Sequence, residues 1–187
     1  RVKDIFTYSE IVNSSKTVSF LYLLKSIYKR TENFKEYLEI LPEYYKYGNK
    51  YGFISSEENS YYCELGFVYL SLNNYNKAID SYKKCIKELA KDKKYFQQSS
   101  MINNIGLSFL KNKKLDSAET YFNKALSLIN EKRDELNASP KYVNHFENVI
   151  HGNISELSIE DGNYNFILKT FKKELSSGKY FRENNII

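Results

Sequence analysis

The 187-residue chain has no tryptophan, one methionine, two prolines, seven glycines and two cysteines. So few helix breakers, with apolar residues recurring near every 3.6 positions, argue for an all-α chain. No run of about 18 apolar residues occurs, so no membrane span is expected. Arg1 opens the chain without a signal-peptide pattern. The expectation is a piece of a larger protein, truncated at both ends, with its compartment left open. Two cysteines fix no redox environment. Cys85 takes a small packed position and reads as a small hydrophobe, with a Cys63–Cys85 disulfide as the alternative.

Signatures of chemistry are also missing. His145 and His151 are six residues apart, on different faces of one helix, and no cysteine lies near them. His151 reads as a core or half-buried packing residue. The glycines form no phosphate loop, and no nucleophile elbow, kinase signature or triad order occurs. Glu57-Glu58 and Glu160-Asp161 sit at helix ends, where capping and solvation explain them. Catalytic residues, metal ligands and cofactors are accordingly all expected to be none.

What the chain does have is lysine, asparagine, serine, glutamate and 18 tyrosines beside 12 phenylalanines. The net charge is +5, but acids are interspersed almost throughout, so most charge belongs to a solvated face. A mild excess at Lys83, Lys84, Lys87, Lys91, Lys93 and Lys94 is a weak basis for nucleic-acid binding, which is not expected.

The organising stretch is 59–90, two helices around a tight turn at Asn73-Asn74. Tyr62, Leu65 and Tyr69 share one helical face, and Ala78, Tyr82 and Cys85 another. Gly66 and Ala78 are small where the helices would cross. Ile102, Ile105, Gly106 and Phe109, followed by Ala118, Phe122 and Ala125, repeat the pattern. One register of second-helix residues, counted from Phe34, Tyr75, Leu115 and Tyr164, recurs four times. The starts lie 41, 40 and 49 residues apart.

The aromatic, the Leu65-Gly66 pair, Tyr69, Ala78 and Tyr82 resemble a tetratricopeptide repeat, with Tyr62 where the family usually has tryptophan. The resemblance implies a right-handed superhelix of antiparallel helix pairs, an α-solenoid. It divides a single domain, 1–187, into a degenerate repeat at 16–51, clear repeats at 57–91 and 94–135 and a divergent repeat at 140–176. The family's usual period is about 34, so the helices or connections must be extended. In the degenerate repeat Lys25 stands where glycine is expected and Tyr37 where the small crossing residue belongs, so looser packing is expected. Pro42 should kink or break that repeat's second helix, with a connection over Tyr47–Ser56. Residues 1–12 and 164–176 read as further helices. Asp92 is a candidate cap for the helix of residues 94 onward, and Ser139 with Pro140 opens a helix running to about Glu160.

In such arrays the first helices line an inner groove. By resemblance Glu64, Asn104 and Asn153 face it, with Phe67, Asn103 and Glu156 beside them as partner-binding candidates. An asparagine amide both donates to and accepts from a peptide backbone. The basic clamp of chaperone-binding relatives is not reproduced: Cys63, Phe67 and Leu107 stand in its places and only Asn103 fits. The expectation is a non-enzymatic protein or peptide interaction module. The run Gly152–Glu156 with Asp161–Tyr164 resembles bacterial repeat-bearing sensor histidine kinases and transcription regulators. The composition suits a flavobacterium-like source, and the compartment stays open between a periplasmic sensor and a cytoplasmic regulator. The alternatives are a peptide-responsive cytosolic regulator and an RNA-binding helical repeat, the latter disfavoured by the uneven spacing.

Overall fold

A computed structural model describes residues 14–54, 60–164 and 168. Among these are seven α-helices, one short 3-10 turn at Arg133–Glu135 and no strand. The helices are α1 (Ser14–Arg30), α2 (Phe34–Lys50), α3 (Tyr61–Ser71), α4 (Tyr75–Lys91), α5 (Tyr95–Lys111), α6 (Leu115–Glu131) and α7 (Pro140–Glu160). The chain divides between Lys93 and Lys94 into two compact units. The expected helices at 1–12 and 164–176 lie outside the described residues, apart from Tyr164 and Leu168.

The period is set by helix length. α4, α5 and α6 have 17 residues each, joined by three-residue turns. Four first helices, α1, α3, α5 and α7, end in the same cap. Glu32, Asn73, Lys113 and Gly162 take left-handed φ of 56°, 57°, 58° and 71°. The next N–H returns to a carbonyl five residues back: Asn33 to Tyr28, Asn74 to Tyr69, Lys114 to Phe109 and Asn163 to Ser158, at 2.8–2.9 Å. This satisfies carbonyls that a helix end leaves open and reverses the chain within a turn. The second helices accordingly start at Phe34, Tyr75 and Leu115, where the sequence registers begin.

In the two central pairs the helices cross on glycine. A Cβ on Gly66 would lie 2.6 Å from the ring of Tyr82; on Gly106, 2.7 Å from the ring of Phe122 and 3.3 Å from the Ala118 carbonyl. Hydrogen is therefore the side chain that fits. Tyr82, Phe122, Ala78, Ala118, Cys85 and Ala125 are buried against these crossings. Burying a ring of this kind contributes about 2–3 kcal/mol.

Several expectations are corrected. Cys85 is not a free hydrophobe: its sulfur is bonded to Cys63, joining α4 to α3. Their Cα atoms are 5.1 Å apart, which the close glycine crossing permits. Pro42 does not break α2, which is helical through Lys50 and buries Tyr47 and Gly48. Pro42 is exposed, so water can meet the Leu38 carbonyl that loses its donor. Asp92 ends α4 instead of capping α5, which starts after Lys94 without a side-chain cap. His151 is exposed, because its register position lies off the buried stripe of Val143, Ile150, Ile154 and Leu157. Ser139 does cap α7, its hydroxyl accepting from the Tyr142 N–H at 3.4 Å, with Pro140 in the first turn.

Candidate partner-binding faces

In the first unit α1 and α3 are joined through a half-buried carboxylate. Lys25 Nζ donates to Glu64 Oε1 and Oε2 at 2.9 and 3.1 Å. Tyr37 donates its hydroxyl to Oε2 at 2.5 Å and Tyr45 to Oε1 at 3.2 Å, while Tyr45 also meets Ser60 Oγ at 2.9 Å. The ammonium lies 4.1 Å from the centroid of the Tyr44 ring, a cation–π arrangement. Desolvation first, and then the Glu64 carboxylate, hold the Tyr37 and Tyr45 hydroxyls well above the usual tyrosine range; the Ser60 contact opposes this for Tyr45.

The cluster explains the two departures in the first repeat. Tyr37 does not loosen the packing: it is 1% exposed, and its length carries a hydroxyl to Glu64. Lys25 takes the glycine position because its flexible stem threads its charge to the same carboxylate. Sequence reasoning missed Lys25, Tyr37, Tyr45 and Ser60 as partners. The signal was available: two misfits in one repeat, one cationic and one phenolic, with an acid, Glu64, two positions before the glycine of the next first helix. Glu64 is thus turned toward its own unit. Phe67 is half-buried, edge-on to Phe34 with centroids 5.7 Å apart, and Lys29 Nζ lies 5.0 Å from its centroid.

In the second unit α5 and α7, again first helices, stand side by side. Asn153 Nδ2 donates to Asn103 Oδ1 at 2.9 Å. Lys111 pairs with Glu156 at 2.8 Å, and Lys113 with Glu160. The Lys113 contact holds the Glu160 carboxyl below its ordinary range. Asn103 is buried, whereas Asn104 and Asn153 are half-exposed. The structure thus brings Asn103, Asn153 and Glu156 into one seam. Asn104, on the next position of α5, has no side-chain hydrogen bond among the described residues.

Two stretches within these units, residues 60–88 and 99–132, match the family model described as tetratricopeptide repeat. In these two segments the chain is similar to tetratricopeptide repeats. They account for α3 and most of α4, and for most of α5 with all of α6, the two glycine crossings included. The fold also resembles that in the crystal structure of BtubC (BKLC) from P. vanneervenii, with a TM-score of 0.56 at 16% identity. The likeness covers 84% of this chain and 61% of that one, so this chain spans less than two thirds of the neighbour's length. At that identity the likeness concerns fold alone. Among curated proteins none matches. Among the described residues no helix is long and apolar enough to cross a membrane. No cluster of three metal-ligating side chains occurs there either.

Proposed function

We propose that the chain is a non-enzymatic module that binds a protein partner through an extended peptide segment laid on the α5–α7 face. Tetratricopeptide repeats are a protein-interaction architecture, and two segments here are similar to them. The observation that carries the reading is the open amide of Asn104 beside the Asn103–Asn153 seam. One amide can serve a peptide N–H and C=O together. The setting we infer is a larger bacterial signalling protein, a sensor kinase or transcription regulator, supported by the resemblance of the Gly152–Glu156 run.

Of the sequence candidates, Asn104 is the one whose removal separates binding from folding. Asn153→Ala would strand the buried Asn103 oxygen, so its effect on affinity would be mixed with lost stability. Asn104→Ala removes at most a backbone hydrogen bond to the partner and should weaken binding about two- to tenfold. Its melting temperature should match that of the parent. The measurement is calorimetric titration with the peptide selected from a random library on the intact chain. Equal affinity for parent and Asn104→Ala would place the ligand elsewhere and sink the reading.

A further inference from the structure

The acids named from sequence are already neutralised from within: Glu64 by Lys25 and Glu156 by Lys111. A different carboxylate faces a cavity. On the first unit, α2, α3 and α4 enclose an open cleft of about 230 Å³. Tyr45, Tyr61 and Tyr62 form its aromatic wall, Pro42 and Lys46 its rim, and Glu88 projects from α4. The three rings pack edge to face in sequence, Tyr45 on Tyr61 with centroids at 5.3 Å and Tyr61 on Tyr62 at 5.2 Å. Glu88 makes no hydrogen bond or ion pair among the described residues. The cleft's own cation is engaged elsewhere, since Lys46 pairs with Glu43 at 3.5 Å and lies over Tyr47.

We infer that this cleft is a second contact point, one that takes an arginine side chain of a protein partner. Two features of the wall fit that occupant. A guanidinium stacks on phenol rings and forks onto a carboxylate, so a single side chain would satisfy both the tyrosines and Glu88. The wall already attracts cations: Lys84 Nζ rests 5.2 Å from the Tyr62 centroid. Burial raises the Glu88 carboxyl above its ordinary range, and Lys91 offsets this only in part. The carboxylate is thus partly desolvated and holds no paired cation among the described residues, so an incoming cation can gain there. The chain's net charge of +5 works against indiscriminate attraction of basic peptides. Recognition of arginine must therefore be local. The inference stands apart from the α5–α7 reading, because all its residues belong to the first unit.

The test is an NMR titration of the intact, oxidised chain with three capped tripeptides, acetyl-Gly-X-Gly-amide, where X is arginine, lysine or norleucine. Arginine should shift the ring resonances of Tyr61 and Tyr62 at millimolar concentration, and norleucine should not. Glu88→Gln should weaken the arginine response about fivefold or more without changing the melting temperature. Tyr62→Leu should weaken it independently through loss of the ring face. Equal response to norleucine, an unchanged response in both variants, or shifts confined to residues outside the cleft would each overturn the inference. A lysine response as strong as that of arginine would overturn the choice of guanidinium.

Discussion

In the repeat at 60–88 Gly66 faces the ring of Tyr82; in the repeat at 99–132 Gly106 faces that of Phe122, forty positions on. The same forty-residue step carries Cys63 onto Asn103, Cys85 onto Ala125 and Glu64 onto Asn104. One repeat uses those places for a disulfide and an internal ion cluster. The other uses them for a half-buried amide pair with α7, a buried alanine and an open asparagine. In the second, Ser99 Oγ also donates to the Ala125 carbonyl at 2.9 Å, tying α5 to α6 without covalent help. The crossing is thus the common part, and the reinforcement is local to each repeat. Reinforcement by charge turns a first-helix acid inward, whereas the neutral version leaves a polar group for others.

The sharpest way to break the shared part is Gly106→Leu. Its Cβ alone would overlap Phe122 and crowd a backbone carbonyl, so the crossing must open. We expect destabilisation of roughly 3 kcal/mol or more, read by chemical denaturation. Adding Phe122→Ala should restore part of it by vacating the ring. An unchanged midpoint in Gly106→Leu would show that the helices are not held at this distance.

Reduction should then separate the repeats. Opening a bond that links positions 22 apart removes about 3 kcal/mol from the first unit on the loop-entropy scale. The second unit has no counterpart at Asn103 and Ala125. Amide exchange should therefore accelerate across α3 and α4 under dithiothreitol and stay constant across α5 and α6. Uniform acceleration would show that the two repeats unfold as one.

A smaller effect separates the polar reinforcements by pH. Tyr37 and Tyr45 have folded-state pKa values above those of the unfolded chain. Their stabilisation is fully present below the ordinary tyrosine value of about 10 and is lost as pH rises past it, because the unfolded chain gives up those protons first. The melting temperature of the first unit should fall above about pH 10, and Tyr37→Phe should flatten that slope. A slope unaltered by Tyr37→Phe would assign the alkaline loss to other groups.

The fold was largely legible because helix pairing leaves a periodic residue signature. Gly66, Ala78, Gly106 and Ala118 mark the crossings, and the registers from Phe34, Tyr75 and Leu115 mark the helix starts. What escaped was pairing across helices, which has no period. Lys25 and Glu64 lie 39 residues apart, and Asn103 and Asn153 lie 50 apart. Lys25 and Tyr37 looked like decay of a repeat because each was judged against the pattern alone. Taken as a cation, a phenol and an acid they form one unit. Pro42 misled for a different reason: a proline costs a helix its hydrogen bond, yet on an exposed face the orphaned carbonyl has solvent. The Glu88 cleft left no sequence trace, since its tyrosines and acid come from three helices.

The enclosure of Lys25 has a use beyond holding α1 to α3. Most of the described lysines stand in water and meet any acylating reagent at once. The amine of Lys25, with its side chain 11% exposed, lies behind a carboxylate and beside a phenol ring. It can be acylated only after α1 and α3 part. The rate at which mass spectrometry finds Lys25 modified is therefore a stopwatch on that parting, read at a residue native to the chain.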